Sequence, residues 1–184
     1  MGRISLEWNE KYKRKIEVEH FVSQELKPEL SLVYNNLLGV CNGLSNYPSE
    51  ETMHHCDKTK GDEGKGNGKI QLKKLDPRSK NCEKLVKYDL TGSIIAINDD
   101  TLVNDDLNKV LNLNNKALKA ARKIAIDNAL KKMRVEKPTQ QWNKAFIQKH
   151  QEEWLSMKKG HFLSYCMTVV WFLQELMNKP QYNR

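Results

Sequence analysis

The spacing of apolar residues changes along the chain, and the change divides it. Near the start, Ile16 and Val18 alternate with Glu17 and Glu19, a period of two that predicts a strand over 14 to 22 running into a loop. The segment "SLVYNNLLGVC", rich in Leu and Val around Asn35-Asn36, predicts a second short extended or turn element. Turn-forming residues in "NGLSNYPSEETMHH" predict a loop, "CDKTKGD" opens a short helix, and "GDEGKGNGK" predicts a flexible basic loop. In "LVKYDLTGSIIAIND" the runs Lys87 to Leu90 and Ser93 to Ile97 flank a Thr91-Gly92 turn, so a β-hairpin is expected.

Beyond the hairpin the period becomes helical. Leu118, Ala121, Ile124, Ala125 and Leu130 fall at helical spacing with lysines between them, and Pro138 closes that helix. A further helix is expected across "TQQWNKAFIQKHQEEWLSM", and a last one from about His161 to Met177. The expected class is α+β: a ββα unit with an adjacent hairpin and a helical C-terminal half. We place the first region at residues 1–100 and the helical region at 101–184, within one body, since 184 residues hardly suffice for two independent cores. No internal repeat is evident, which argues against a solenoid.

Composition narrows the setting. Lys and Arg number 31 against 23 Asp and Glu, a formal net charge of +8, which favours a polyanionic partner such as nucleic acid. The N-terminal residues show no basic segment followed by an apolar one, so a cytoplasmic protein is expected. The longest apolar run, "HFLSYCMTVVWFLQELM", is broken by polar residues and falls short of the roughly twenty residues of a membrane span. No membrane is expected as partner. The glycine-lysine stretch lacks the GxxxxGK[ST] order of a nucleotide cradle.

The candidate chemistry lies in the first third. Hydrolysis of a phosphodiester needs a base for water, hard oxygen ligands for a divalent cation, and a group that holds the base in place. His20 is the candidate base and Glu19 a candidate carboxylate ligand beside it. Asn36 orients the imidazole or pins the loop that carries it, Asp57 supplies a second carboxylate at the start of a short helix, and His55, with His54 beside it, is an alternative ligand or phosphate contact. Lys58, Lys60, Lys65 and Lys69 are candidate nucleic-acid contacts, with Arg122 and Lys123 as a possible extension. Oxygen-rich sites of this kind suit Mg²⁺ or Mn²⁺.

In that order, "EH", "NNLL" and "CDKTKG" resemble the HNH, or ββα-metal, endonucleases. The succession "YNNLLGVCNG", "HHCDKTKGD", "LDP", "YDLTGSI" and "LNLNN" is more similar still to the HNH nuclease subunit of Septu-type and retron-associated anti-phage defence systems. The likeness covers roughly residues 16 to 125. It implies His20 as general base, Glu19 and Asp57 as metal ligands, Asn36 as the positioning asparagine, and a partner ATPase of the SMC-like or ABC-like type. It leaves open whether DNA or an RNA such as tRNA is cut. The chain departs from the compact motif in having Asp57 where His or Asn is commoner, and in the loop Gly43 to Met53 between the half-motifs.

Two further readings stand beside this one. Cys41, Cys56 and Cys82, with His54 or His55, are the residue types of a structural Zn²⁺ site, or else are small buried apolar residues. Cys166, inside an apolar helix, is expected to be such a residue. Trp142, Trp154, Trp171 and Phe172 are core, with "SYCMTVVWFLQEL" expected to contribute to partner docking. The rival to a nuclease is an inert HNH-like nucleic-acid-binding or adaptor subunit.

Overall fold

The computed structural model of the chain describes residues 16–41, 54–60, 71–157 and 162–182. They are mixed α and β, with two small antiparallel sheets, each of two strands, and they divide into two compact units. The first unit holds the described residues up to Val86 together with Ile95–Lys116; the second holds Lys87–Ile94 and the described residues from Ala117 onward.

In the first unit, β1 (Ile16–His20) pairs antiparallel with β2 (Leu37–Cys41), with His20 opposite Leu37 and Val18 opposite Gly39. Asn36 therefore does not sit mid-strand; it closes a 3-10 turn, Tyr34–Asn36, immediately before β2. The expected short helix is α1 (Asp57–Lys60), a single turn. The loop residues 42–53 and the glycine-lysine segment 61–70 lie outside the described residues. Helix α2 (Thr101–Asp105) starts at Asp100, whose carboxylate accepts from the Leu102 and Val103 amides at 3.1 and 3.2 Å. It runs on into a π-turn, Asp106–Val110. Residues 101–116, assigned by their pattern to the helical region, thus cluster with the first unit.

Asp106 explains much of that clustering. Its side chain has no solvent exposure, and its carboxylate accepts from the backbone amides of Lys73, Lys74 and Leu75 at 2.7 to 3.1 Å. A buried carboxylate is tolerated only when such donors replace water. Leu75, Ala96, Val103, Leu107 and Val110 are buried in the same unit.

The hairpin β3 (Val86–Tyr88) and β4 (Ile94–Ala96) carries the expected turn at its tip. In the second unit, α3 (Lys116–Glu136) buries Leu118, Arg122, Ala125, Ile126, Ala129 and Met133, one face of a 3.6-residue period. Pro138 follows its end, as the sequence implies. Asn143 then caps α4 (Lys144–Leu155), its Oδ1 accepting from the Phe146 amide at 2.9 Å, which starts this helix later than the apolar pattern alone suggests. Helix α5 (Cys166–Met177) also starts late, because Tyr165 adopts left-handed φ of 59°. Trp142, Phe146, Ile147, Val169, Phe172 and Leu173 share one core with the buried face of α3, each large side chain contributing about 1.5–3 kcal/mol by leaving water. No described helix is long and apolar enough to cross a membrane.

Gly92, at φ of 83°, closes the hairpin turn, and a Cβ there would lie 2.2 Å from the Lys119 carbonyl oxygen of α3. The Arg122 guanidinium donates to the Gly92 carbonyl at 3.1 Å, so helix and turn meet backbone to backbone. Gly92→Ala adds left-handed strain and overpacking together, and should lower stability by about 2 kcal/mol or more in chemical denaturation.

His150 is buried against Phe146, ring centroids 4.7 Å apart. Its Nε2 lies 3.1 Å from Glu136, its Nδ1 3.6 Å from Glu153, with Lys132 and Lys149 close behind those carboxylates. Burial pushes the imidazole below its ordinary value of 6.5, outweighing the upward pull of Glu153 and Glu136. The folded state then binds fewer protons than the unfolded one, so stability falls as pH drops through 6.5 towards the depressed folded value. Denaturation midpoints measured on either side of that window should show the fall, and His150→Gln should flatten it.

Candidate functional site

Three polar side chains organise the loop that joins β1 to β2. Asn36 is 2% exposed and is bonded on both ends of its amide. Its Oδ1 accepts from the Val22 amide at 2.8 Å, while its Nδ2 donates to the Val22 carbonyl at 3.0 Å and the Leu30 carbonyl at 3.2 Å. Its own carbonyl accepts from the Phe21 amide at 2.8 Å. The loop from Phe21 to Asn35 is thereby laced shut at its base and at its middle.

His20 ends β1. Its Nε2 lies 3.0 Å from the Ser31 carbonyl oxygen and 3.2 Å from Gln24 Nε2. These contacts make opposite demands, because a carbonyl only accepts and an amide nitrogen only donates. The carbonyl belongs to backbone fixed by the Asn36 lacing, whereas Gln24 is exposed and its amide is free to turn end for end. We therefore assign the proton to Nε2, which leaves the Nδ1 lone pair as the basic position of the neutral ring.

Lys60, from α1, reaches the other side of this strand end. Its Nζ donates to Glu19 Oε1 at 3.0 Å, to the His20 carbonyl at 2.8 Å and to the Phe21 carbonyl at 3.0 Å. Lys60 is buried, and an ammonium has three protons, so all of them are spent within the unit. A phosphate contact, the role its position in the sequence suggested, would require breaking one of these bonds. The sequence offers no sign of this: lysines 58, 60, 65 and 69 look alike until one is buried.

Glu19 and His20 are consecutive in a strand and their side chains take different partners, Glu19 on α1 and His20 in the loop. Glu19 gives one carboxylate oxygen to Lys60 and keeps the other as a hard donor. Asp57 opens α1, the helix Lys60 ties to the end of β1; its side chain and those of Lys58 and Cys41 lie outside the described residues, as do Lys65 and Lys69 altogether. Among the described residues no three His, Cys, Asp or Glu side chains gather at ligating spacing.

The histidines before α1 are built in. His55 is 4% exposed, its Nδ1 3.3 Å from Cys56 Sγ, and Cys56 has left-handed φ of 57°. The His54 carbonyl accepts from Thr59 Oγ1 at 2.9 Å and from Asn112 Nδ2 at 2.7 Å, and the Cys56 amide donates to the Leu111 carbonyl at 2.9 Å. These bonds fix the start of α1 to residues 111–112. Cys82 is a buried free thiol whose pKa burial pushes up. Cys166 is likewise buried. Helix α5, expected at a partner surface, turns Phe172 and Leu173 into its own core, and Trp171 packs edge-on to Tyr88 at 6.4 Å.

Beside the loop runs a feature the sequence did not single out. An open groove of about 820 Å³ is lined by Val18, Leu37 and Gly39 of the hairpin, by Tyr34 and Asn35, and by Asp76, Arg78 and Ser79. The Arg78 guanidinium lies over Phe21, its Cζ 3.8 Å from the ring centroid, and is clamped by Asp76 through Nε at 2.9 Å and Nη2 at 2.7 Å. That hydrogen-bonded guanidinium holds the Asp76 carboxyl below the usual range.

Comparison with protein-family models, with curated proteins and with solved structures finds no match.

The lacing makes a direct prediction. Asn36→Ala leaves buried amide and carbonyl groups unpaired and should cost about 1–3 kcal/mol. Asn36→Asp, nearly the same shape, should be no better, since it sets a carboxylate oxygen against the Val22 and Leu30 carbonyls. Hydrogen exchange should show the Phe21 and Val22 amides losing protection in both variants, with amides of α3 to α5 unchanged; retained protection would show that the loop is held by something else.

Proposed function

We propose that this chain is a metal-dependent endonuclease of the HNH kind that hydrolyses phosphodiester bonds of DNA or RNA. The observation that supports the reading is the order in which the candidate residues meet. An acid–histidine pair closes β1, Asn36 laces the following loop back to the start of β2, and a one-turn helix opening at Asp57 is tied to the end of β1 by Lys60. A chance set of short motifs has no reason to form one connected bonded unit.

In this mechanism His20 accepts the proton of the attacking water at Nδ1, its tautomer set by the Nε2 bond to Ser31. Asn36 is a positioning residue: it fixes the loop whose carbonyl sets that tautomer. Glu19 and Asp57 would hold Mg²⁺ or Mn²⁺, with His55 a further candidate. When bound, such an ion polarises the phosphate and stabilises the leaving oxygen. Lys58, Lys65 and Lys69 contribute charge along the nucleic-acid backbone, a salt-sensitive term. The wider role, effector of an anti-phage complex with an SMC-like or ABC-like ATPase, follows from the sequence resemblance. The C-terminal helices are kept as the docking region of that reading: Phe172 of α5 is buried, while Trp171 is only partly so.

One observation favours a second reading. The Lys60 ammonium already sits on Glu19, as it would if the unit had kept its scaffold and lost its ion. An inert nucleic-acid-binding or adaptor subunit would look like this, and the Zn²⁺ alternative at Cys41, Cys56 and Cys82 would then be purely structural.

The deciding test compares wild type with His20→Ala, co-expressed with the candidate ATPase and challenged with phage, examining total DNA and RNA. General-base loss should slow cleavage by about 10²–10⁴-fold with the fold intact. Equal fragmentation by both proteins, or none by either in the presence of the partner, would reject the nuclease in favour of the inert reading.

A further inference from the structure

The groove beside the His20 loop has the makings of a binding site. Its floor is the hairpin face where Val18 stands opposite Gly39, so no side chain rises from β2 at that point. Tyr34 lines it with 86% of its surface exposed, and Val18 is 68% exposed. An aromatic ring left this open on a loop otherwise locked by buried bonds is a ready stacking platform. Its size lies within the roughly 300–1,000 Å³ typical of small-molecule sites.

Electrostatics indicates what enters. Arg78 and Asp76 are the charged residues of the lining, and they neutralise one another. A phosphate would meet the Asp76 carboxylate as well as the guanidinium, so the groove does not favour an anion. It favours a flat, uncharged ring with polar edges. Of the five guanidinium protons, three go to Asp76 and to the Asn35 carbonyl at 3.2 Å, leaving two for a ligand acceptor. Ser79 and Asn35 add further polar groups at the rim.

The groove is coupled to the candidate base through the chain itself. Phe21, which supports Arg78, follows His20; Asn35, whose carbonyl Arg78 holds, precedes Asn36. We propose that the groove receives an unpaired nucleobase stacked on Tyr34, so that the substrate of the reaction proposed above is single-stranded DNA or RNA, or an unpaired loop. The inference rests on that reading and narrows its substrate class. A paired base inside a duplex has no free face to offer Tyr34.

The test uses the full chain carrying His20→Ala, so that nothing is cut, and labelled oligonucleotides of about twelve nucleotides. Fluorescence anisotropy would compare single-stranded DNA, single-stranded RNA and the matching duplex. We expect single strands to bind more tightly than duplex, Tyr34→Ala to weaken single-strand binding by about tenfold, and Tyr34→Phe to stay within about twofold. The duplex should be indifferent to Tyr34, and a difference between the DNA and RNA arms would name the sugar. Tyr34 is too exposed for its loss to unfold the unit, and an unchanged denaturation midpoint would check this. Unchanged single-strand affinity in Tyr34→Ala, an equal loss on the duplex, or no binding to any oligonucleotide would overturn the proposal. Cleavage by the wild-type chain with the candidate ATPase present, scored separately, distinguishes the failures: cutting that ignores Tyr34 rejects only the groove, and absence of both cutting and binding rejects both readings.

Discussion

A buried ammonium holds the candidate site together. Strands β1 and β2 place no described apolar side chain in a core, and Val18 on their face is largely exposed. What holds the hairpin to α1 is the Lys60 Nζ, bonded to Glu19 and to two consecutive carbonyls at the end of β1. A charge out of water is stable only where every proton has an acceptor, so this contact is demanding in direction and number. It fixes one helix position relative to one strand end, which apolar contact would fix less sharply.

The same principle recurs twice in the first unit. Asn36 satisfies four backbone bonds of the loop that carries Ser31, and Asp106 takes three amides of residues 73–75 with no exposure of its own. Each links segments distant in sequence. The second unit is built differently, on an apolar cluster from α3, α4 and α5 with Trp142, Phe146 and Phe172 at its centre. The contrast suits the two roles: directional polar bonds place a few side chains closely, while apolar packing supplies bulk stability.

This organisation gives His20 a distinctive environment. The backbone carbonyl of Ser31 selects one tautomer, and the loop presenting that carbonyl is closed by an asparagine with no other task visible in the structure. The groove lined by Tyr34 and Arg78 grows from the same loop. The candidate base, the carbonyl it bonds and the Tyr34 ring of the groove thus lie within the seventeen residues from His20 to Asn36.

The local elements are legible in the order of residues. Alternation marked β1, Thr91-Gly92 marked the β3–β4 turn, and helical spacing with Pro138 marked α3 and its end, because these depend on near neighbours in the chain. The sequence also offered Asn36 as a residue that either orients the imidazole or pins its loop, and the bonds to Val22 and Leu30 are those of the second task. Tertiary packing alone turns Lys60 inward, although nothing in the sequence tells it from Lys58, Lys65 and Lys69, draws residues 95–116 to the first unit through Asp106, and puts Phe172 of α5 in its core. Burial is the reason: whether a lysine, an aspartate or a tryptophan meets water or a partner depends on segments tens of residues away, which no local period encodes.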